Sequence, residues 1–548
     1  MIRNIFISLA LLLPLADHAQ TYSEILGRPT DKSITINAVF GNKCDVFFEY
    51  GFYPSAYTSV TDTVSVEANA SVEKVLSGLS PNTRYYYRTR YRLSGTSAFL
   101  SGEDHSFMTQ RTKGSKFVFT VEADPHPYDK KCYSSLWDIA LNNQLNDGAD
   151  FMIDLGDTFG DDHEAVGITS ARVKELMLNE RPHFGVACHS LPLFFCIGNH
   201  EGESGYYLQQ TPPDNIAVYE TLWRKQYYPN PYPDDFYSGN NDMENYGMDK
   251  PGNYYSWEWG DALFVVLDSW RYSTASVKPR GWEWTLGEKQ YNWLKSVLEN
   301  SNAKYKFVFC HHIMGECRGA VSVATSYEWG GLDNDKDEFS IERPGWEMPI
   351  HQLLQKNKVN ILFQGHDHVF AYEKLNDVVY QTVPMPSDSS YTLGYIANAS
   401  AFKGTTLTGT GHIRVTVCPD SVKVDFVNSR LPKDEESIKN RDVSYSYSVR
   451  PAASVGISTI EAVTGDTKLL CSSNGELIVT TSKRINRPCE IILNGIDGSE
   501  IICYKFATLD NGMKIHVGSG CYSSHPKLCI ARLLIDGLTV SCLKMVLR

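Results

Sequence analysis

Between residues 116 and 368 the chain contains six short, nearly continuous apolar runs, and this pattern most restricts the possible folds. The runs lie in KFVFTVEAD, DFMIDLGD, LPLFFCIGNHE, ALFVVLDS, KYKFVFCHH and VNILFQGHDH. Such runs are typical of strands that are buried on both faces. Segments with helical periodicity, at residues 288–300 and 348–357, lie between some of the runs. The sequence therefore predicts a layered α/β domain.

Polar motifs follow five of the six runs, and only the fourth, which ends at Asp268, adds no obvious site group. In chain order the motifs supply Asp124 and His126, Asp157, Asn199 and His200, His311, and His366 and His368. Open α/β sheets place their sites at the carboxyl ends of strands, so we expect these side chains to meet. Each motif alone could be a solvated turn. Together they predict a metal site, because first-row metal ions accept mixed carboxylate and imidazole ligands.

The ordered motifs DxH, GD, GNHE, H and GHDH resemble those of the calcineurin-like metallophosphoesterases, which include the purple acid phosphatases. The resemblance covers residues 115–430 and implies a four-layer sandwich, in which helices flank two mixed sheets. It also implies two metal ions, and iron, manganese and zinc are all compatible with these ligands. One ion would be held by Asp124, His126, Asp157 and His368. The other would be held by Asp157, Asn199, His311 and His366.

The resemblance also implies a mechanism, in which a hydroxide that bridges the two ions attacks phosphorus in line. Asp157 would bridge the ions, and His200 would protonate the leaving oxygen or stabilise the phosphoryl oxygens. Asn199 and His200 would contact the substrate. Arg318 is a further candidate for phosphate binding, although a surface arginine is the ordinary alternative.

Two positions of the motif series differ from the family pattern or allow an alternative ligand. His311 and His312 are adjacent, and neighbouring strand residues face opposite ways, so only one should be a ligand. We prefer His311 because it follows the apolar run directly, and His312 is the alternative. The purple branch has a glycine where this chain has His126 and an iron-binding tyrosine where it has Gly160. We therefore expect no purple colour.

The regions on either side of the α/β domain have the short alternating runs of β-structure. Residues 22–110 predict an antiparallel sandwich, and LSPNTRYYYR resembles the tyrosine corner of fibronectin type III modules. Residues 431–455 are charged and then small and polar, which predicts a linker. Residues 456–548 predict a small all-β domain. Its end, CIARLLIDGLTVSCLKMVLR, resembles the sorting domain of type IX secretion, which implies attachment to the outer membrane or cell surface.

Residues 1–19 read as a signal peptide, with Arg3 before an apolar run and a plausible cleavage point at Ala19-Gln20. We therefore expect a secreted protein, whether periplasmic, on the cell surface or extracellular. Residues 205–285 are rich in aromatic, Asn, Pro and Gly residues, which predicts a long loop region. The net charge of −13 argues against a nucleic-acid-binding surface.

The leading functional prediction is a secreted phosphoesterase that acts on small phosphorylated substrates, with phosphomonoesters favoured. A phosphodiesterase or nucleotidase of the same fold is the first alternative. A catalytically silent surface-binding protein is the second, although no ligand position of the motif set is replaced. An amidohydrolase fits less well, because those chains begin their motif series with HxH, whereas here HxH ends it.

Overall fold

The computed structural model describes residues 21–159, 165–393, 399–451, 467–471, 477–481, 484–495, 500–515, 527–535 and 538–547. The chain divides into two compact units, Met1–Ala452 and Ala453–Arg548. None of the helices within the described ranges is long and apolar enough to cross a membrane. The predicted signal peptide and Gly160 lie outside the described residues.

The first unit begins with a two-sheet β-sandwich. Its strands are β1 (Tyr22–Gly27), β2 (Ser33–Phe40), β3 (Cys44–Gly51), β4 (Ser59–Val60), β5 (Val64–Val66), β6 (Ser71–Ser77), β7 (Arg84–Leu93), β8 (Leu100–Ser101) and β9 (His105–Met108). One sheet has the order β1-β2-β6, and the other is built around β3 and β7. Tyr85 and Tyr87 of β7 point into the shared core, and the Tyr85 hydroxyl accepts a hydrogen bond from Ser80 N at 2.9 Å. That contact is the one expected of a tyrosine corner, while membership of the fibronectin type III class stays a prediction.

The sandwich is fastened to the α/β domain by hydrogen bonds as well as by packing. Asn37 Nδ2 donates to the Gln226 carbonyl at 3.0 Å, and the Tyr87 hydroxyl donates to the His189 carbonyl at 2.7 Å. Gly27 approaches so closely that a Cβ there would lie 2.5 Å from the Pro229 carbonyl oxygen. The two parts of this unit therefore share a fixed junction.

The α/β domain alternates strands with helices, as the apolar runs predict. Its strands are β10 (Phe117–Glu122), β11 (Phe151–Asp154), β12 (Leu193–Phe195), β13 (Ser238–Gly239), β14 (Tyr255–Trp259), β15 (Ala262–Val266), β16 (Tyr305–Phe309), β17 (Leu332–Asp333), β18 (Lys336–Asp337), β19 (Ile361–Gln364), β20 (Phe370–Leu375), β21 (Val378–Thr382), β22 (Thr405–Leu407), β23 (Gly411–Cys418), β24 (Ser421–Asn428) and β25 (Val443–Val449). Its helices are α1 (Ser134–Asn146), α2 (Ser170–Cys188), α3 (Gly205–Leu208), α4 (Ile216–Tyr227), α5 (Glu288–Asn300), α6 (Val321–Ala324), α7 (Tyr327–Gly330), α8 (Phe339–Glu342) and α9 (Ile350–Lys356).

The six apolar runs divide between two mixed sheets. The first sheet has the order β12-β11-β10-β23-β24-β25, and β10, β11 and β12 run parallel within it. The second has the order β13-β14-β15-β16-β19-β21-β20-β22, with β15, β16 and β19 parallel. Because parallel neighbours end at the same edge, each sheet brings three of the run ends together.

The strands are apolar on both faces because each face packs on a different layer. In β11, Phe151 and Ile153 pack in the core between the sheets, while Met152 faces the cluster that includes residues of α1 and α2. In β16, Phe307 and Phe309 face the first sheet, and Val308 faces a cluster that is lined by helices. This double burial explains the continuous apolar runs of the sequence.

The helix at residues 288–300 forms as predicted, and α9 lies within the predicted segment 348–357. Residues 205–285 are not one long loop, because they contain α4 and the β14/β15 hairpin. The periodicity of α4 is obscured by buried polar residues, including Arg224, which forms an ion pair with Glu203. The predicted linker at 431–455 contains β25, which pairs with β24, so the first unit extends to Ala452.

The second unit consists of β-strands. They are β26 (Lys468–Cys471), β27 (Leu477–Thr480), β28 (Cys489–Gly495), β29 (Glu500–Phe506), β30 (Lys514–Ile515), β31 (Lys527–Ile535) and β32 (Leu538–Leu547). They form sheets of order β26-β27-β30 and β29-β28-β31-β32, around buried residues such as Leu477, Ile491 and Leu533. The strands fit the predicted all-β character, and the sorting function stays a prediction.

Candidate metal centre

The predicted site residues meet where the carboxyl edges of the two sheets come together. Asp124, Asp157 and Asn199 follow β10, β11 and β12 of the first sheet. His311 follows β16 of the second sheet, and the GHDH motif follows β19. Loops from both sheets therefore contribute to one cluster.

The loops that carry the cluster have an unusual backbone conformation. Five candidate ligands have positive φ angles between 38° and 66°: Asp124, His126, Asp157, His366 and His368. Non-glycine residues adopt this left-handed conformation at a cost of about 1 kcal/mol or more each. Such concentration of backbone strain is typical of a functional site, where surrounding contacts hold the side chains in place.

Glycines permit the close approach of these loops. A Cβ at Gly198 would lie 2.3 Å from Asp157 Oδ1, and a Cβ at Gly365 would lie 2.6 Å from Asp124 Oδ2. Gly156 has a φ of 96°, and a Cβ there would lie 2.4 Å from Gly198 N. Larger residues at these positions would push the candidate ligands apart.

His311 Nε2 is the centre of the first group of candidate ligand atoms. It lies 3.0 Å from Asp157 Oδ2 and 3.2 Å from Asn199 Oδ1. His366 Nδ1 is also 3.2 Å away. On the other side of the ring, Nδ1 is 2.9 Å from the Leu155 carbonyl oxygen, which can only accept. If Nδ1–H donates to this carbonyl and His311 is neutral, its Nε2 lone pair faces three other potential acceptors, an arrangement that a bound cation would satisfy.

The second group is formed by Asp124, His126 and His368. Asp124 Oδ1 lies 3.5 Å from His368 Nε2 and 3.8 Å from His126 Nε2, and the latter distance is too long for a hydrogen bond. Both Asp124 Oδ1 and His126 Nε2 are buried and lack a hydrogen-bond partner within the described part of the chain. Buried polar atoms of this kind are rarely left unpaired, so they fit metal coordination.

The electrostatics of the cluster also favour a cation. Burial alone would lower the pKa of His126, but the carboxylates of Asp124 and Asp157 raise it to about 10. Burial opposes protonation of His311 as well, yet Asp157 and Asp124 raise its pKa to about 9. The pKa of His368, in contrast, falls to about 3, chiefly because of burial. A negative site that attracts protons to histidine would attract a metal ion for the same reason.

The described residues include three groups whose candidate ligand atoms lie within 4.8 Å of one another. These groups are Asp124, His126 and His368; His126, Asp157 and His200; and Asp157, His311 and His366. The donor set therefore fits one or more metal ions. Asp157 belongs to two of the groups. His200 stands at the margin, with its side chain 21% exposed and its Nε2 3.9 Å from Asp157 Oδ2.

The two weaker candidates lie beside the cluster. His312 is buried, its Nε2 donates to the Gly319 carbonyl at 2.9 Å, and its Nδ1 accepts from Met314 N at 3.1 Å. Both of its ring nitrogens are thus engaged in holding a loop, which favours His311 as the ligand. Arg318 Nη1 donates to the His366 carbonyl and lies 3.4 Å from Asp367 Oδ1. Arg318 therefore stabilises the GHDH loop, and its contact with substrate stays a prediction.

Glu201 lies beside the site and has a role that the sequence did not reveal. It is completely buried, and its carboxylate accepts four backbone N–H groups. They belong to Asp157 at 2.9 Å, Thr158 at 2.7 Å, Phe159 at 3.3 Å and Gly198 at 2.6 Å. Glu201 therefore joins the loop of Asp157 to the loop of Asn199. The only signal was its place in the GNHE motif, next to His200.

A two-sheet α/β domain with this carboxylate and imidazole cluster is the arrangement expected of a metal-dependent hydrolase. Residues 117–370 match the family model of the calcineurin-like phosphoesterases. This part of the chain thus matches a calcineurin-like phosphoesterase domain, as the order of its motifs predicts. No curated protein matches the sequence.

Solved structures show the same fold at low sequence identity. The structure of PhoD has a TM-score of 0.55 at 15% identity and covers 78% of this chain and 90% of its own. The purple acid phosphatase PPD1 from yellow lupin (Lupinus luteus) seeds has a TM-score of 0.52 at 14% identity, with 79% and 74% covered. The family match and the fold support a phosphoesterase hydrolase.

Proposed function

We propose that the chain is a secreted phosphoesterase that hydrolyses small phosphomonoesters at a centre of two metal ions. The observation that carries this proposal is the position of Asp157. Its Oδ2 lies 3.0 Å from His311 Nε2 and 3.6 Å from His126 Nε2, so one carboxylate faces both groups of candidate ligands. A carboxylate in that position can serve two ions at once.

Two sets of residues would bind the two metal ions. Asp124, His126 and His368 would hold one ion, and Asn199, His311 and His366 the other, with Asp157 shared. When bound, the two ions supply positive charge for the phosphoryl group and activate water for in-line attack. Iron, manganese and zinc suit these ligands. Because Asn199 is neutral and only two carboxylates are ligands, the loaded site keeps the positive charge that a phosphate binder needs.

His200 is suited to act on the leaving group. Its backbone N–H donates to Asp157 Oδ1 at 2.8 Å, which fixes its loop to the shared carboxylate. Its ring centroid lies 5.0 Å from that of His126, yet its side chain is more exposed than those of the other histidines in the cluster. In the proposed reaction His200 donates a proton to the leaving alkoxide oxygen, and Asn199 and Arg318 help to orient the substrate.

The rest of the proposal concerns organisation and export. The domain would have the four-layer order of helices, sheet, sheet and helices, behind a fibronectin type III-like sandwich. A signal peptide at residues 1–19 would direct export, and the all-β second unit would act in sorting or surface attachment. The strands of the second unit support its all-β character, and the tyrosine contact in β7 supports the fibronectin type III-like assignment.

Elemental analysis of the purified protein, combined with turnover of an aryl phosphate and a bis-aryl phosphate, tests the proposal. We expect two metal ions per chain and faster hydrolysis of the monoester. Preferred hydrolysis of the diester would favour a phosphodiesterase of the same fold. Two metal ions without turnover of either ester would instead favour a surface-binding protein.

A further inference from the structure

A small cavity of roughly 100 Å³ lies at the junction of the β-sandwich and the α/β domain. The sandwich contributes Arg28, which follows β1, and Glu73 of β6. The α/β domain contributes the end of α4 and two short segments around Pro229 and Pro251. The hydrogen bonds that fasten the sandwich to the α/β domain keep this junction fixed.

The described lining of the cavity is strongly cationic. It includes Arg28, Arg224, Lys225 and Lys250, against the single carboxylate of Glu73. We call these four cationic residues the junction site. Arg28 lies 3.4 Å from Glu73 Oε1 and also stacks over the ring of Tyr232 at 4.3 Å. Arg28 pairs with Glu73 and Arg224 pairs with Glu203, so Lys225 and Lys250 supply the remaining positive charge that makes the cavity a candidate for anion binding.

The two lysines of the junction site are paired with neutral groups. Lys225 Nζ donates to the Met248 carbonyl, and Lys250 Nζ donates to the Pro233 carbonyl at 3.1 Å. Each carbonyl oxygen accepts one N–H of its ammonium group but carries no full negative charge of its own. Burial is the main reason that the pKa of Lys225 is lowered, and the neighbouring Arg224 lowers it further, while the carboxylates of Asp249 and Glu203 act in the opposite direction.

Arg224 supplies an independent indication of a missing partner. The residue is fully buried, and its Nε and Nη2 contact Glu203, while Nη2 also donates to the Pro251 carbonyl at 2.9 Å. Its Nη1, however, finds no hydrogen-bond partner among the described residues. An unsatisfied buried guanidinium nitrogen costs about 1–3 kcal/mol, so a ligand that accepts from it would be stabilised.

We propose that the junction site binds one small oxyanion, such as inorganic phosphate or sulfate. Guanidinium groups suit this chemistry because their N–H groups match the oxygens of phosphate and sulfate. The volume limits the ligand, since one water occupies roughly 30 Å³ of liquid, so the cavity has room for about three waters or one such ion. Bound there, the anion neutralises charge on both sides of the junction and stabilises the docking of the sandwich.

Thermal unfolding in sulfate at constant ionic strength tests the proposal. The wild-type midpoint should rise with a saturable dependence, by about 2 °C at tenfold excess over the dissociation constant. Lys250→Gln should raise that constant about tenfold, as for loss of one charge-assisted hydrogen bond. Lys289→Gln is the matched control, because Lys289 is exposed and pairs with Asp242 at 2.8 Å. Its sulfate response should equal that of the wild type.

Sulfate bound at the catalytic centre would raise the unfolding midpoint equally in wild type, Lys250→Gln and Lys289→Gln. Only a difference between these proteins therefore reports on the junction site. An identical saturable response in Lys250→Gln and wild type would overturn the proposal. If Lys250→Gln does not fold, Arg28→Gln replaces it. Crystals soaked in selenate give a second test, with an anomalous peak expected beside Arg224. Water alone at that position would also overturn the proposal. Neither test depends on the proposed enzymatic function.

Discussion

Replacement of Glu201 by glutamine tests how the ligand-bearing loops are held together. One carboxylate oxygen accepts from the backbone N–H groups of Asp157 and Gly198, and the other accepts from those of Thr158 and Phe159. Glutamine keeps one acceptor oxygen but turns the other into a donor. Whichever way the amide lies, two buried backbone N–H groups lose their acceptor and face an NH₂ group instead.

The expected cost can be worked out from these contacts. Leaving a buried donor unsatisfied costs about 1–3 kcal/mol, so two such donors lower the free energy of unfolding of the domain by about 2–6 kcal/mol. The loop of Asp157 should also move away from the loop of Asn199. We therefore expect Glu201→Gln to retain less metal and to lose at least tenfold in kcat/KM, since about 1.4 kcal/mol of lost positioning already gives that factor.

Glu328→Gln is a suitable control, because Glu328 is equally buried but accepts from Leu286 N at 2.7 Å and Arg343 Nε at 3.0 Å. It should lower the midpoint of thermal unfolding without changing metal content. Metal content by elemental analysis, kcat/KM and thermal unfolding are measured for both variants. A Glu201→Gln protein with full metal content and wild-type kcat/KM would refute the positioning role, whatever its stability.

Three other outcomes can be measured. Asp157→Asn should abolish turnover of an aryl phosphate while circular dichroism stays native, because the amide keeps the shape but not the shared charge; full activity in a folded variant would contradict the mechanism. Removal of metal by a chelator should lower the midpoint of thermal unfolding, and re-addition should restore it, because Asp124 and Asp157 otherwise repel each other; an unchanged midpoint argues against a metal centre. Burial raises the pKa of Glu24 from 4.5 to about 7. Between these pH values the folded state therefore keeps a proton that the unfolded state releases. The stability that this proton provides is complete below pH 4.5 and is lost as the pH rises to 7. Glu24→Gln should therefore gain stability over wild type between those pH values, by up to about 3 kcal/mol in unfolding experiments, and an identical pH dependence in the two proteins would contradict this reasoning.

The local elements of this protein could be predicted because their signals are short-range. Helix α5 forms at Glu288–Asn300, where one apolar face recurs every three to four residues. The apolar runs became strands that are buried on both faces, and the site residues follow them. Helix α4 was missed because Arg224 and Glu220 interrupt its apolar pattern, and only the ion pair with Glu203 makes burial of Arg224 tolerable. The strand β25 was missed for a related reason. Its serines and tyrosines have the composition of a linker, and only the pairing with β24 makes this segment a strand.

The sequence by itself determined which side chains are available for metal chemistry and that they stand at the ends of strands. Only the tertiary structure decided that three run ends come from one sheet and the others from a second, so that His311 and Asp157 come within 3.0 Å of each other. It also decided that Glu201 accepts from the loop of Asp157, which lies more than 40 residues away along the chain, and that Arg28 and Arg224 line one cavity at the junction. The physical reason is that strand order, buried hydrogen bonding and interdomain cavities depend on contacts between distant segments of the chain. Local patterns of apolar and polar residues carry no information on those contacts.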